Sequence, residues 1–526
     1  MKKLLISSAL LFYLFLFCNT LISQTKFQCT VGGSGEDLSY YNIASRDGGF
    51  FLVGSTYSFG AGDYDIMVEK LDYRGILKWS KIIGGTGKDF ATSVTETSDG
   101  GCAVAGYRSP IGSSLTHYFV LKLDSTGNLQ WLTTFGNSSV NEEARRLIQN
   151  NNGDFIVVGA SAQDLSISKI SSSGVFQWGK LISTSGSEGG NGIIQTFDKG
   201  YMITGMTDNY GAGSGDIYLV KLDSNFNVSW SRTLGIGSYE IAYSVIQTSD
   251  SGYAAIGHTG DYSFLIVRLT ANGSLKWSKY YGGTGSDNAY TIVQTKDGGF
   301  AAAGNTTSYS SGGDVGVIKV DSSGNLQWTK IIGGTGQESG GNINKTIDGG
   351  YAVGGGTKSF GLGSFDFFLV KLDSNFSTCG NVYNIQFSSG SYGSMTSPTS
   401  NITSTTLSIF NYPYSITTGG TVYTVCSSVG IKNLDAEIPK EFKLFQNYPN
   451  PFNPTTNIKY QIVNNGFVSI KIYDIKGNEV ESLVNENETA GTYIVSLNAS
   501  NYPSGVYFYK IQAGDFSETK KMILLK

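Results

Sequence analysis

The sequence predicts an all-β protein: a seven-bladed β-propeller in residues 25–379, followed by an immunoglobulin-like β-sandwich in residues 438–526. Three observations predict it. Glycine (70 of 526 residues), Tyr (32) and Phe (29) are frequent while Pro is scarce (8), which is typical of many strands joined by tight turns. All six tryptophans recur at intervals of 47 to 52 residues, a length typical of one propeller blade. Short period-2 segments with turn residues between them fill the C-terminal region.

The N-terminus predicts export. Lys2 and Lys3 precede an apolar run from Leu4 to Phe17, a pattern typical of a signal peptide. This run is shorter than the about 20 residues that span a bilayer. We therefore expect residues 1–24 to be a signal peptide, with a short membrane anchor as the alternative.

Four strand-like segments occur in each repeat unit, for example "ATSVTET", "CAVAGYR", "YFVLKLD" and "LQWLTTF". The turn "SDGG" and the K-L-D segment recur, with variations, seven times. Because the tryptophan recurs in units that differ elsewhere, we expect it to be structural and buried between neighbouring blades. Phe27 holds its position in the unit that the N-terminus completes, so residues 27–31 are predicted to form the outer strand of the last blade. The blade aromatic residues are Phe27, Trp79, Trp131, Trp178, Trp230, Trp277 and Trp328.

An acidic residue begins the first strand of each unit, and a small residue follows two positions later. Seven such acids on one rim would offer oxygen ligands to Ca²⁺. The alternative, favoured by recurrence in all seven units, is that each acid accepts hydrogen bonds from its own glycine-rich loop. The candidate metal ligands are Asp37, Asp89, Glu142, Glu188, Glu240, Asp287 and Glu338.

Catalytic motifs are scarce. The two histidines, His117 and His258, lie in different units, and no zinc-protease or serine-nucleophile motif has a supporting context. A glycosidase or lyase needs only two acids about 5–10 Å apart. The rim offers such acids, so a polysaccharide-degrading enzyme is the alternative to a binding protein. The net charge of −4 argues against a nucleic-acid binder.

Residues 380–437 leave the repeat for a Ser/Thr-rich composition and are predicted to be a linker, part of which would lie along the propeller. Cys379 and Cys426 bracket most of it, and an oxidising compartment would allow them to pair. A Cys29–Cys379 disulfide is the alternative. Cys102 stands where other units carry Phe or Tyr and is predicted to be a buried free thiol.

The C-terminal region has the most specific motifs: "NYPNPFNPTT", "KIYDIKGNEV", "SGVYFYKI" and "KKMILLK". With them, residues 438–526 resemble the type A C-terminal sorting domain of type IX secretion. The resemblance implies recognition by the outer-membrane export machinery of Bacteroidetes-type bacteria. It also implies cleavage of the domain, with the cargo released or attached to surface lipopolysaccharide. The residues that carry the resemblance are Asn447, Tyr448, Pro449, Asn450, Pro451, Phe452, Gly477 and Gly505.

The repeat region resembles glycine-rich propeller repeats secreted by the same bacteria, which implies an architecture and no activity. We expect the protein to pass through the periplasm to the cell surface or beyond. There it would bind a glycan, another surface polymer or a protein ligand without catalysis. The loops "TDNYGAGSGD" (207–216) and "NTTSYSSGGD" (305–314) carry Tyr and Asn side chains suited to sugars.

Overall fold

In the computed structural model every regular element of the described residues is a β-strand, which confirms the all-β prediction. The described residues do not include the predicted signal peptide (1–24) or residues 428–437 of the predicted linker. Among the described residues, no helix is long and apolar enough to cross a membrane. The described residues are 25–427 and 441–525, apart from gaps at 110–111, 185, 212, 311, 381, 398–400, 406, 411–413, 489 and 500–501.

Residues 27–372 form 28 of the strands. Middle strands such as "FFLVGST" (50–56) are buried on both faces, so their sequences are nearly continuous apolar runs. In chain order the strands are β1 (Phe27–Gly32), β2 (Asp37–Ala44), β3 (Phe50–Thr56), β4 (Asp65–Leu71), β5 (Leu77–Gly84), β6 (Lys88–Glu96), β7 (Cys102–Ser109), β8 (His117–Leu123), β9 (Leu129–Gly136), β10 (Glu142–Gln149), β11 (Phe155–Ser161), β12 (Asp164–Ile170), β13 (Phe176–Ser183), β14 (Glu188–Gln195), β15 (Tyr201–Thr207), β16 (Asp216–Leu222), β17 (Val228–Gly235), β18 (Ile241–Gln247), β19 (Tyr253–His258), β20 (Phe264–Leu269), β21 (Leu275–Gly282), β22 (Asp287–Gln294), β23 (Phe300–Thr306), β24 (Asp314–Val320), β25 (Leu326–Ile332), β26 (Glu338–Lys345), β27 (Tyr351–Thr357) and β28 (Asp366–Leu372).

Seven antiparallel sheets contain these strands, within the part of the chain that the structure describes. Six sheets use four consecutive strands, from β2–β5 to β22–β25, and the seventh has the order β26-β27-β28-β1. The first strand of every sheet contacts the first strands of both neighbouring sheets, and β2 contacts β26. The contacts between neighbouring first strands therefore close into a ring, an arrangement consistent with a propeller-like fold.

The N-terminal strand completes the seventh sheet. β1 pairs with β28 from Phe27 opposite Lys371 to Val31 opposite Phe367, where the sequence predicts an outer strand. This pairing covers backbone groups of β28 that an open sheet edge would expose.

Where the sequence predicts a linker, residues 382–427 add a fifth strand to each of the seven sheets, and we call this segment the belt. Its strands pair in reverse chain order, with β25, β21, β17, β13, β9, β5 and finally β1. They are short, and two of them, residues 388–391 and 415–417, are largely exposed, so they lack the apolar alternation that identifies a strand in a sequence. The belt strands are β29 (Val382–Ile385), β30 (Ser388–Ser391), β31 (Ser394–Thr396), β32 (Asn401–Thr405), β33 (Ser408–Phe410), β34 (Ser415–Thr417) and β35 (Thr421–Ser427).

A disulfide between Cys379 and Cys426 joins the two ends of the belt. Both cysteines lie beside β1: the side-chain amide of Gln28 donates to the carbonyl of Cys379 at 2.6 Å, and Cys426 stands opposite Gln28 in the β1–β35 pairing. Cys29 and Cys102 are buried free thiols. The belt is therefore a nearly closed loop around the seven sheets.

The six tryptophans are half-buried between neighbouring sheets. Each packs on a surface turn of the next sheet, which leaves part of the indole accessible. Trp79 lies on Gly127, where an added Cβ would be 2.8 Å from the indole, and its Nε1 donates to the carbonyl of Ser125 at 3.0 Å. Trp178 packs on Phe226, with ring centroids 4.7 Å apart. These side chains join neighbouring sheets.

The C-terminal region has two more antiparallel sheets, which share one apolar core. Buried side chains such as Val468, Ile470 and Ile472 alternate with less buried ones along a strand, as the period-2 pattern predicts. The strand orders are β36-β37-β40 and β39-β38-β41-β42. These strands are β36 (Lys443–Leu444), β37 (Thr455–Ile462), β38 (Gly466–Tyr473), β39 (Glu479–Glu488), β40 (Gly491–Asn498), β41 (Gly505–Ala513) and β42 (Phe516–Leu524).

Candidate functional site

The seven candidate metal ligands lie at or just before the first strands, and only 0–3% of each residue's surface is exposed. Most of them accept a backbone N–H from the preceding loop: Gly33 donates to Asp37 at 2.7 Å, and Gly334 donates to Glu338 at 2.9 Å. The Thr357 hydroxyl adds a bond to Glu338 at 2.6 Å. A backbone N–H of the preceding loop donates in the same way to Asp89, Glu142, Glu188 and Asp287. The acids thus hold the rim loops in place.

Several first-strand acids lie beside an acid from the third strand of the preceding sheet. Gly32 shows how close the two groups are: a Cβ added there would meet Asp366 Oδ1 at 1.7 Å and Asp37 Oδ2 at 2.8 Å. Burial, followed by the charge of Asp37, raises the pKa of Asp366 to about 7. Burial also raises the pKa of Asp65 to about 6. A carboxyl group that keeps its proton relieves the repulsion within such a pair.

Calcium takes about 6–8 oxygen ligands. Among the described residues, no three His, Cys, Asp or Glu side chains come together as a group that could hold a metal ion. Two carboxyl groups that already accept loop N–H bonds leave most of a calcium shell unfilled. The rim acids already accept hydrogen bonds from their own loops, so their geometry favours the structural alternative.

A cavity of about 580 Å³ lies within the ring of first strands, and all seven first strands contribute to its wall. In each first strand the pairing shifts by one residue directly after the predicted small residue. Such a bulge leaves one residue out of the ladder and re-aims its side chain. The seventh bulged residue is Gly341. The other six, which line the cavity, are Tyr40, Thr92, Arg145, Asn191, Tyr243 and Tyr290.

Two arginines are the charged side chains among the residues that line this cavity. Arg145 is held by Asn191, at 2.7 Å, and by Glu143, at 3.2 Å. The guanidinium carbon of Arg146 lies 3.9 Å from the ring centroid of Tyr41. Its buried Nη1 has no hydrogen-bond partner among the described residues. Burying an unpartnered donor is costly, so Arg146 is suited to an acceptor supplied by a ligand.

Aromatic side chains form another part of the wall. The ring of Tyr243 meets Tyr290 edge to face at 5.3 Å, and His258 packs against Tyr243 at 5.8 Å. Burial raises the pKa of both tyrosines and lowers the pKa of His258. These rings are therefore uncharged at neutral pH. The wall combines phenol hydroxyls and apolar ring faces with the two cationic side chains.

None of these cavity residues is among the predicted site residues. A signal for them exists in the sequence, because the position after the small residue of the first strand differs from unit to unit: Tyr, Thr, Arg, Asn, Tyr, Tyr and Gly. A ligand site is expected at such departures from a repeat. This variation identifies a site only once the bulge is known, because the bulge turns these side chains towards the cavity.

In the C-terminal region, the predicted sorting motif combines buried anchors with one exposed ring. Asn447 and Phe452 are each 2% exposed. The backbone N–H of Asn447 donates to the Tyr509 hydroxyl at 2.7 Å, and that of Phe452 to the carbonyl of Ile523 at 3.0 Å. Tyr448, between the two anchors, is 81% exposed. Its ring is available for contact with a partner.

The other motif residues lie in turns or at strand ends. The Asn450 side chain accepts a backbone N–H from β42 at 2.9 Å. Pro449 and Pro451 both follow cis peptide bonds. Gly477 has a φ of 83°, which favours glycine, and Gly505 begins β41. The motif is therefore part of the fold of the C-terminal region.

Residues 446–525 match the family described as the secretion system C-terminal sorting domain. This protein carries such a sorting domain. The match confirms the resemblance indicated by the motifs. The sorting domain marks a protein that the type IX system exports to the outer cell surface or secretes, and it implies interaction with the type IX machinery.

No curated protein matches the chain. Among solved structures, the chain is similar to Sqt1 from Chaetomium thermophilum, at 14% identity and a TM-score of 0.41 over 67% of this chain and 85% of that chain. It is also similar to a protein of unknown function from Dyadobacter fermentans DSM 18053, at 11% identity and a TM-score of 0.38 over 66% of this chain and 98% of that chain.

Proposed function

We propose that the repeat region is a seven-bladed propeller. The cavity within its ring of first strands, which we call the axial cavity, binds a glycan or another surface polymer without catalysis. The main support for this proposal is that six bulged side chains, each from a different sheet, line the same cavity. Ligand pockets typically measure about 300–1,000 Å³ and combine aromatic walls with a few polar groups. The tyrosines of this wall would pack against sugar rings, and its hydroxyl, amide and guanidinium groups would bind sugar oxygens.

Export by the type IX route would bring this binding region to the outer cell surface or beyond. We propose that residues 1–24 are removed as a signal peptide and that the sorting domain, an immunoglobulin-like sandwich, is cleaved after export. The cargo, attached to lipopolysaccharide or released from a Bacteroidetes-type cell, is then the repeat region with its belt. The Cys379–Cys426 disulfide suits passage through an oxidising periplasm.

The alternative, a polysaccharide-degrading glycosidase or lyase acting through the rim acids, has less support. A general acid or base must come within hydrogen-bond reach of the proton that it moves. The rim acids are almost fully buried and mostly bonded to their own loops. The cavity wall carries tyrosine and arginine side chains, which are suited to binding.

A binding screen of the full chain against polysaccharides and glycans, run with Ca²⁺ and again with EDTA, tests the proposal. We expect binding that EDTA does not change. Tyr290→Ala should weaken it at least tenfold, about 1.4 kcal/mol, because this ring lines the cavity. Tyr309→Ala is the matched control, since its exposed ring lies in the loop 305–314 and outside the cavity wall.

Other outcomes would contradict parts of the proposal. A loss of binding with Tyr309→Ala alone would place the ligand on the exposed loops. Binding that EDTA abolishes would return the rim acids to the site as metal ligands. Release of shorter saccharides from a bound polysaccharide would favour the enzyme.

A further inference from the structure

A second cavity, of about 370 Å³, lies between the sheets β2–β5 and β6–β9. Phe90 and Tyr107 line it, together with hydroxyl-bearing residues of the neighbouring loops. Asp63 and Lys88 in its wall form an ion pair at 3.4 Å, so these two charges balance. This cavity combines aromatic surface, hydroxyl groups and little net charge.

A row of aromatic rings connects the two cavities. Tyr40, a bulged residue of the axial cavity, lies 6.4 Å from Phe90, and Phe90 stacks on Tyr107 at 5.3 Å, measured between ring centroids. Tyr64 packs on Phe90 at 5.3 Å, and its hydroxyl donates to Glu36. Tyr40 is 40% exposed, and Phe90 and Tyr107 are half-buried. An accessible aromatic track thus leads from the axis to the second cavity.

The two ends of this track differ in charge. In the axial cavity Arg145 is paired with Glu143, whereas Nη1 of Arg146 has no hydrogen-bond partner among the described residues. A guanidinium group binds a carboxylate through two parallel hydrogen bonds, which are stronger than bonds between neutral groups. A carboxylate on a sugar would supply the acceptors that Arg146 lacks.

We propose that the ligand is an acidic polysaccharide bound as a chain of several sugars. A carboxylate-bearing sugar is held by Arg146 in the axial cavity. The following sugars lie along Tyr40 and Phe90, and a further sugar occupies the second cavity beside Tyr107. This inference rests on the proposed function and adds the charge, length and path of the ligand.

Calorimetric titration of the full chain with uronate oligosaccharides of two and six units, and with a neutral glucose hexasaccharide, tests the inference. We expect the uronate hexamer to bind at least tenfold more tightly than either of the others. Arg146→Gln should abolish the preference for uronate over the neutral hexamer. Its matched control, Arg46→Gln, removes the same charge from the turn between β2 and β3, where Arg46 pairs with Glu96 at 3.1 Å, and should leave the preference unchanged.

The second cavity is tested with Tyr107→Ala and Tyr107→Phe. Tyr107→Ala should weaken binding of the uronate hexamer at least fivefold and leave the affinity for the dimer unchanged, because only the longer chain reaches this ring. Tyr107→Phe keeps the ring and should bind the hexamer within twofold of the natural chain. Tryptophan fluorescence of each variant shows that the repeat region is folded.

Equal affinities for the uronate and neutral hexamers, or tighter binding of a sulfated hexamer, would overturn the assignment of a carboxylated ligand. Equal affinities for dimer and hexamer, or equal losses of both with Tyr107→Ala, would overturn the extended path. Both results leave the proposed function intact as long as Tyr290→Ala weakens binding. The absence of binding to any saccharide would contradict the proposed function itself.

Discussion

The repeat region and the sorting domain use the same turn in two settings. In "DSTGN" (124–128) and "DIKGN" (474–478) the aspartate accepts the N–H groups two and four residues later, at 2.8–2.9 Å. The φ angles of Gly127 and Gly477 are 82° and 83°. A Cβ on Gly127 would lie 2.8 Å from Trp79, whereas a Cβ on Gly477 would meet nothing within 4 Å. One turn joins two sheets, and the other faces solvent.

This difference shows that a turn motif determines the local backbone, while its neighbours decide how much of the fold depends on it. In the repeat region, neighbouring sheets are held together by packed turns, by the belt and by one disulfide. The sorting domain has one shared core and no cysteine. All six tryptophans lie in the repeat region, so their fluorescence reports its unfolding separately from that of the sorting domain.

The largest expected change in the stability of the repeat region comes from removing the disulfide that joins the two ends of the belt. The variant Cys379→Ser with Cys426→Ser should lower the free energy of unfolding of the repeat region by about 4 kcal/mol, because the disulfide closes a loop with a sequence separation of 47 residues. Denaturant titration followed by tryptophan fluorescence measures the loss. The natural chain under reducing conditions is the control and should show the same loss. A loss below about 1 kcal/mol would mean that strand pairing alone holds the belt.

The two equivalent glycines test the contrast directly. Gly127→Ala should cost about 2–4 kcal/mol, since it adds a clash with Trp79 to the strain of a positive φ. Gly477→Ala is the matched control and should cost about 1 kcal/mol, the strain alone. Thermal unfolding by calorimetry, with the transitions assigned by fluorescence, gives both values. Equal costs would show that the packed turn is no more critical than the free one.

The third prediction concerns pH. Because the pKa of Asp366 is raised to about 7, the folded repeat region binds a proton that the unfolded chain releases near pH 4. Its stability should therefore fall as the pH rises from about 4 to 7, by on the order of 1–2 kcal/mol. In the sorting domain burial raises the pKa of Glu518, but bonds from Lys520 and Leu444 outweigh this and lower it. The stability of that domain should therefore fall as the pH drops below the ordinary pKa of a glutamate, about 4.3.

Unfolding at pH 5 and pH 8 in EDTA measures this response. Asp366→Asn should remove part of the slope seen by tryptophan fluorescence. Glu518→Gln, the control, should leave that slope unchanged because it acts on the other domain. A slope that persists in full with Asp366→Asn would show that this carboxyl group is not its source.

The smallest expected change in stability is at the exposed ring of the sorting motif. Tyr448→Ala should alter the free energy of unfolding by less than about 0.5 kcal/mol, because the side chain is 81% exposed. Export, measured as the amount of chain outside the cell, should nevertheless fall, because this exposed ring lies within the sorting motif, between the buried anchors Asn447 and Phe452. Tyr57→Ala removes a similarly exposed ring from the repeat region and should leave export unchanged. Normal export of Tyr448→Ala would place recognition on other motif residues.

The repeating features could be predicted from the sequence because each recurs at a constant spacing and depends on local contacts. The rim acids, the blade aromatic residues and the strand at residues 27–31 all follow from such spacing. The sequence predicts that part of residues 380–437 lies along the repeat region, but it could not predict the strand pairing of the belt. The belt strands, of three to seven residues, are specified by the unpaired edges they meet and not by their own apolar pattern. The half-burial of the tryptophans has a similar origin, because it depends on which turn of the next sheet covers them.

The sequence by itself determined the all-β composition, the positions of the repeat and the identity of the sorting domain, because turns, strand periodicity and short motifs act over a few residues. Only the tertiary structure brought Tyr40, Arg145 and Tyr290 to one cavity, although about 250 residues separate the first from the last. A one-residue shift in each first strand turns its side chain towards the axis, and the closure of the ring places these side chains together. Neither the shift nor the closure is visible in any single unit.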